Sequence, residues 1–166
     1  MLNFFKKKNE ELYSIANGEV ISITNVNDKL FANKLLGDGV AFLLSDGKIY
    51  SPCDAEVVML AKTKHAIGLK TKNGGELLIH IGLDTVNLNG EGFNVFVKTG
   101  DKVKRGTKLV EVNLEFMNSK KIDLMTPIIL TNGDEYSLNI LKINQRISLN
   151  DVIIKLEKNK NGGKSL

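Results

Sequence analysis

The chain has 166 residues, of which 42% are hydrophobic and 25% are charged, and its net charge is +4. These values indicate one globular domain, and no run approaches the roughly 20 consecutive apolar residues needed to cross a membrane. Lysines cluster near the ends and only 6% of residues are aromatic, so the composition argues against nucleic-acid binding. A single cysteine, Cys53, excludes an internal disulfide, and the first residues lack a secretory signal, so we expect a cytoplasmic protein.

Both ends of the chain are predicted to be tails. Residues 1–12 place Leu2, Phe4 and Phe5 beside three lysines, which predicts a flexible or amphipathic tail with at most peripheral contact to an anionic membrane. A disordered end is the alternative. Residues 157–166 are predicted to be a flexible C-terminal tail, which leaves one domain over residues 13–156.

Short β-type runs separated by turn signals fill this domain. Asp38-Gly39, Asp46-Gly47, Asn73-Gly74 and Asn132-Gly133 are typical breaks between runs such as 18–23 and 76–81. Many short strands with regular turns indicate an all-β fold, which we predict to be an antiparallel β-sandwich of the barrel-sandwich hybrid type. Helix is expected only within 27–36 and at 114–121.

Two weak internal repeats accompany these runs. Residues 13–21 resemble residues 50–58, and residues 103–112 resemble residues 147–156. Repeated β-units predict internal pseudosymmetry in the sheet structure.

The two histidines, His65 and His80, flank the strong hairpin signal at residues 72–75. If Thr71 pairs with Glu76, both histidines lie on one face of the hairpin as diagonal neighbours. A slip of one residue in this register would place the two histidines on opposite faces of the hairpin. This face is otherwise apolar, so the pair is either buried between sheets or part of an exposed patch that docks a partner.

Imidazole chemistry leaves several roles open for such a pair. Near neutral pH an imidazole can be a nucleophile, a proton shuttle or a metal ligand. The second ring could donate a hydrogen bond to a phosphoryl oxygen carried by the first, and an apolar rim would exclude water. A metal site would need a third ligand.

Residues 74–86, GGELLIHIGLDTV, resemble the active-site signature of the glucose-type enzyme IIA domains of the bacterial phosphoenolpyruvate-dependent sugar phosphotransferase system. The resemblance covers residues 13–156. Its supporting motifs, in chain order, are 37–42, Ser51-Pro52, 63–66, 90–93, 100–106 and Thr126-Pro127. It implies the antiparallel β-sandwich that the strand pattern also predicts.

The resemblance implies a role for each residue of the site. His80 would accept the phosphoryl group, His65 would stabilise and assist its transfer, and Thr63 would orient His65 by a hydrogen bond. Asp38 and Asp84 would help to dock a basic partner surface. The apolar part of this docking surface is expected to contain Val40, Phe42, Ile67, Ile81 and Val86. Ile67 and Ile81 replace aromatic residues that are common near the family's histidines.

The implied function is that of a phosphocarrier. It would take a phosphoryl group from the phosphocarrier protein HPr and pass it to the IIB domain of a IIBC sugar permease, and other proteins could be regulated by its phosphorylation state. No cofactor is expected, although an adventitious or regulatory zinc between His65 and His80 is left open.

Three other functions compete with that of a phosphocarrier. A biotinyl or lipoyl carrier is suggested by residues 97–106, but the chain has no modification hairpin. A zinc peptidase would need a His-x-His pair, which is also missing. A regulatory docking module of the same fold without phosphotransfer is harder to exclude, and replacing His80 would separate it from a phosphocarrier.

Overall fold

The computed structural model describes residues 9–160, which form fourteen β-strands and two short α-helices. The strands are β1 (Asn9–Tyr13), β2 (Gly18–Ser22), β3 (Asp38–Leu44), β4 (Lys48–Tyr50), β5 (Ala55–Leu60), β6 (Ala66–Thr71), β7 (Glu76–His80), β8 (Phe93–Val95), β9 (Lys102–Val103), β10 (Lys108–Val112), β11 (Thr126–Leu130), β12 (Tyr136–Ile140), β13 (Gln145–Ile147) and β14 (Val152–Lys158). The helices are α1 (Lys29–Ala32) and α2 (Leu114–Ser119), and 3₁₀ turns lie at Ile23–Asn25 and Thr85–Leu88. Both helices fall where the sequence predicts them.

The strands form one large sheet and two small ones. The large sheet has eight strands in the order β13-β2-β3-β11-β7-β6-β5-β9, and the small sheets have the orders β1-β14-β12 and β4-β10-β8. Every strand pair among residues 9–160 is antiparallel. The predicted antiparallel β architecture with little helix is therefore confirmed.

The main hydrophobic core joins side chains from all three sheets. Phe42 and Ile79 of the large sheet are buried with Ile154 of one small sheet and Leu109 of the other. Side chains alternate between the faces of a strand, so Glu76, Leu78 and His80 of β7 lie on the face opposite Ile79.

A second, smaller apolar cluster covers part of that opposite face. It contains residues of β2, β3 and β11 together with the segment that runs from the first 3₁₀ turn into α1. Its buried members are Ile21, Ile23, Val26, Phe31, Ala41, Leu83 and Ile129. The segment holding Phe31 is thus packed against the outer face of the sheet, next to the end of β7.

The internal repeats correspond to symmetric positions in the fold. Ser14 N–H donates to the Asp151 carbonyl and Ser51 N–H donates to the Thr107 carbonyl, both at 2.9 Å. The spacing from Ser14 to Ser51 equals the spacing of the first repeat, and the spacing from Thr107 to Asp151 equals that of the second. The strands agree, because β13 pairs with β2 at one edge of the large sheet and β9 pairs with β5 at the other.

The structure corrects the predicted boundaries of both tails. Strand β1 begins at Asn9 because Asn9–Leu12 pair with β14, and Leu12 is 1% exposed. Glu157 and Lys158, assigned to the C-terminal tail, belong to β14. The predicted membrane contact falls mainly on residues 1–8, which lie outside the described residues. Within residues 9–160, no helix has the length and apolarity to cross a bilayer.

Candidate active site

The β6–β7 hairpin presents the site, and its register differs from the prediction. Lys70 pairs with Glu76 and Ala66 with His80, one residue away from the predicted pairing of Thr71 with Glu76. The turn is one residue shorter than predicted, because Thr71 closes it with Gly75 instead of Glu76: Thr71 N–H donates to the Gly75 carbonyl at 2.8 Å, and Gly75 N–H donates to Thr71 Oγ1 at 3.0 Å. The predicted register was therefore wrong.

The two histidines nevertheless meet. Their ring centroids lie 5.0 Å apart, with the ring planes at 77°. His65 precedes β6, and the residue before it, Lys64, has a φ of +62°. The chain turns there, since Lys64 N–H donates to the Ala61 carbonyl at 2.8 Å. The side-chain alternation of an extended strand therefore does not hold at His65, and its ring reaches the outer face with His80.

A backbone carbonyl fixes the tautomer of His80. The Nδ1 atom lies 2.8 Å from the Gly82 carbonyl oxygen. A carbonyl can only accept a hydrogen bond, so Nδ1 carries the proton and donates it. The lone pair of the neutral ring is then on Nε2, which is the nucleophilic nitrogen.

Phe31 packs against the same ring. Its centroid is 5.0 Å from that of His80 at an interplanar angle of 56°, and Phe31 is 3% exposed. Asp28 immediately precedes α1 and caps it, because its carboxylate accepts from Leu30 N–H at 2.9 Å. The helix that carries Phe31 is therefore held by a local cap.

The environment keeps both imidazoles neutral near pH 7. Burial lowers the pKa of His80 below 6.5, and the Gly82 hydrogen bond and the charges of Asp28 and Asp84 oppose this effect without reversing it. Burial and the neighbouring His80 lower the pKa of His65. A neutral imidazole is the form that can act as a nucleophile.

The second ring has its own partner. Thr63 Oγ1 lies 2.6 Å from His65 Nδ1. The two residues are separated by the strained Lys64, which brings the hydroxyl and the ring nitrogen to the same side of the turn. Thr63, His65 and His80 thus form a connected row at the end of the hairpin.

Part of the predicted docking surface is wrong. Val40, Ile67 and Ile81 are 0% exposed and Phe42 is 1% exposed, so none of these four can contact a partner in this conformation. The corrected register explains Ile67, which pairs with Ile79 and shares its core face. Val40 and Phe42 alternate with Ala41, which lies on the outer face, and therefore also point into the core. Val86 is 48% exposed.

Both acidic residues of the predicted docking surface, Asp38 and Asp84, are exposed, and their docking role stays a prediction. Asp84 is exposed and its charge acts on His80. Asp38 forms an ion pair with Lys34 at 3.5 Å and accepts from Gly39 N–H at 2.8 Å. The carboxylate that joins Asp84 beside the site is Asp28.

Sequence reasoning missed Asp28, Phe31 and Gly82. The helix signal at 27–36 predicted the segment that contains Asp28 and Phe31. It could not show that this segment packs against His80, because His80 lies 49 or more residues further along the chain. Gly82 lies two residues after His80 and acts through its backbone carbonyl, a group that every residue type has. No group of three metal-ligating side chains exists within residues 9–160, and the zinc between the histidines stays a prediction.

The fold and the paired imidazoles agree with one family. The family model described as "phosphoenolpyruvate-dependent sugar phosphotransferase system, EIIA 1" matches residues 10–136. This chain belongs to that family. It is a phosphotransferase component that acts as a phosphocarrier in sugar transport.

Relatives and a solved structure support this assignment. The chain is 47% identical over 129 residues to a PTS system glucose-specific EIIA component of Bacillus cereus, covering 77% of this chain and 78% of that one. It is 43% identical over 145 residues to a PTS system glucose-specific EIICBA component of Staphylococcus saprophyticus, covering 87% of this chain and only 21% of that protein. The structure of glucose permease IIA from Mycoplasma capricolum superposes with a TM-score of 0.83 at 38% identity, covering 92% of this chain and 97% of the other.

Proposed function

We propose that this chain accepts a phosphoryl group on Nε2 of His80 from phosphorylated HPr and passes it to the IIB domain of a sugar permease in the cytoplasm. The observation that carries the proposal is the hydrogen bond from His80 Nδ1 to the Gly82 carbonyl. It leaves Nε2 as the free nucleophile. The names of the relatives favour glucose as the transported sugar.

The transfer is a displacement between two nitrogens. The Nε2 lone pair of neutral His80 forms a bond to phosphorus while the bond between phosphorus and the donor nitrogen breaks. The electron pair of that bond returns to the donor imidazole, so no redox partner is needed. Positioning and charge stabilisation are the protein's contributions to such a step.

His65 is placed to assist this transfer. For its Nε2–H to donate to a phosphoryl oxygen, its Nδ1 must accept a hydrogen bond, and Thr63 Oγ1 at 2.6 Å can supply that proton. The ring distance of 5.0 Å brings the donor within reach of a group on His80. A hydrogen bond aimed at developing charge stabilises the transition state.

Asp28 and Asp84 complete the electrostatics of the proposed site. A phosphoryl group adds roughly 1.5 to 2 negative charges beside carboxylates that already act on His80. These carboxylates disfavour the phosphorylated state, so they help the group to move on. The same negative charge suits a basic partner surface.

Phosphorylation with phosphoenolpyruvate, enzyme I and HPr tests the proposal, with intact mass and the position of acid-labile phosphate as readouts. We expect one phosphoryl group on His80, none in His80→Ala, and one in His65→Ala, which should then donate slowly to a IIB domain. Each histidine variant is the control for the other. A wild-type protein that gains no mass while HPr is fully phosphorylated would favour the regulatory docking module.

A further inference from the structure

Two chain segments contact the His80 ring, and a third packs beside them. The loop after β7 supplies the Gly82 carbonyl, and α1 supplies Phe31. The residues leading into β11 form the third segment, since Met125 packs into the small apolar cluster that includes Phe31. These segments are far apart in sequence, so their relative positions depend on tertiary contacts.

Asp123 is bonded to each of the three segments. Its Oδ2 accepts from Asn27 Nδ2 at 3.0 Å, immediately before the residue that caps α1. Its Oδ1 accepts from Met125 N–H at 3.0 Å. Its backbone carbonyl accepts from Leu83 N–H at 2.9 Å, next to Gly82.

The third contact is a close one. A Cβ atom built on Gly82 would lie 3.2 Å from the Asp123 carbonyl oxygen. The loop that carries the Gly82 carbonyl therefore rests against Asp123. Since the carboxylate of Asp123 is bound at both oxygens, the position of its backbone carbonyl is defined by the side chain.

We propose that Asp123 is a positioning residue for His80, which holds the Gly82 carbonyl and the Phe31 helix in register with the ring. This role rests on the proposed function, in which His80 receives the phosphoryl group. Without the carboxylate, the Asp123 carbonyl and the Leu83 amide lose their fixed position. The bond from His80 Nδ1 to Gly82 then weakens, and the neutral ring samples the other tautomer. Misplacing a reacting group by about an ångström can slow a reaction by up to roughly a hundredfold.

The test compares Asp123→Ala with a matched control, Asp46→Ala. Asp46 also accepts at Oδ1 from the amide two residues ahead, Lys48 N–H, at 3.0 Å, but it lies in the turn between β3 and β4. Two readouts are needed: the His80 tautomer from ¹⁵N NMR, and single-turnover transfer from phosphorylated HPr at several donor concentrations.

We expect Asp123→Ala to lower the fraction of the Nδ1–H tautomer and to reduce the maximal transfer rate by roughly tenfold. The donor concentration at half-saturation should hardly change, because the role proposed for Asp123 is to position His80 and not to bind the donor. Asp46→Ala should match the wild type. Asp123→Asn should keep most of the rate. The new amide group can donate to the side-chain oxygen of Asn27 once the Asn27 amide has rotated by half a turn.

Asn27→Ala separates the side-chain link from a general loss of stability. This variant removes the bond to Asp123 Oδ2, so it should lower the transfer rate by only a fraction of the loss in Asp123→Ala. The double variant should be no slower than Asp123→Ala alone. The proposal is overturned if Asp123→Ala keeps the wild-type tautomer and rate. If Asp123→Ala does not fold, Asn27→Ala with an unchanged tautomer and rate overturns it equally. If the wild type cannot be phosphorylated, the proposed function fails, while the tautomer still decides the role of Asp123.

Discussion

Replacing Gly82 with alanine would perturb the site through the backbone carbonyl that fixes the His80 tautomer. Gly82 has a φ of +77°, which favours glycine. An added Cβ would lie 2.7 Å from Thr85 Cγ2 and 3.2 Å from the Asp123 carbonyl oxygen. Thr85 is 0% exposed and its hydroxyl donates to the Ile81 carbonyl at 2.7 Å, so its methyl group has little freedom to move away.

Two effects contribute to the loss of folding free energy in Gly82→Ala. A left-handed conformation costs a residue with a Cβ about 1–2 kcal/mol, and forcing an extra methyl into a packed site costs about 1–3 kcal/mol. We therefore expect Gly82→Ala to lower the free energy of unfolding by about 2–5 kcal/mol. Gly106→Ala is the matched control, because Gly106 has a φ of +83° and no atom within 4 Å of its added Cβ.

Urea unfolding of both variants and phosphorylation from HPr measure the two effects. Gly106→Ala should show only the conformational cost and a normal rate. Gly82→Ala should be less stable by a further 1–3 kcal/mol or so, and its phosphorylation should be slow because the Gly82 carbonyl moves from Nδ1. Equal stability of the two variants, with equal rates, would refute this account of Gly82.

Three further predictions concern other groups. Thr63→Val should slow the step that depends on His65 by roughly 2–12-fold, the equivalent of one hydrogen bond, and Thr63→Ser should restore it in a IIB transfer assay. Burial lowers the pKa of His80 below 6.5, so on acidification the unfolded chain binds a proton at this position at a higher pH than the folded chain does. The free energy of unfolding should therefore fall as the pH drops below about 7, and His80→Gln should flatten that decline in urea titrations. Burial, followed by the charges of Glu10 and Asp54, raises the pKa of the Cys53 thiol to about 12, so a disulfide reagent should label Cys53 only after unfolding.

The sequence contains enough information for the architecture and for the reacting residue types. β-Branched runs between Asp-Gly and Asn-Gly breaks report strand ends directly, because these dipeptides adopt turn conformations that strands cannot. The histidine pair could be recognised because the hairpin between them has one strong turn signal. The repeat of residues 13–21 at 50–58 is also visible in the structure, where both copies make equivalent backbone hydrogen bonds.

The register could not be predicted from the same signal. The residues at 72–75 allow a loop closed by Thr71 and Glu76 or one closed by Thr71 and Gly75, and the choice depends on the hydroxyl of Thr71. That hydroxyl binds the Gly75 amide as acceptor and donates to Glu10 Oε1 at 2.6 Å. Glu10 belongs to β1, which the sequence placed in a tail, so the deciding contact was long-range. The error moved Ile67 from the core to the docking surface.

Two contacts that set the chemistry of His80 leave little signal in the sequence. A main-chain carbonyl selects the nucleophilic nitrogen, and a buried phenyl ring lies against the imidazole. Val86, by contrast, is exposed and takes part in neither contact. Substitutions at the exposed rim should therefore change the affinity for a partner, whereas substitutions that displace the Gly82 carbonyl should change the rate of transfer at saturating partner. Two sites of this fold with different rims can in this way share one phosphoryl-transfer chemistry.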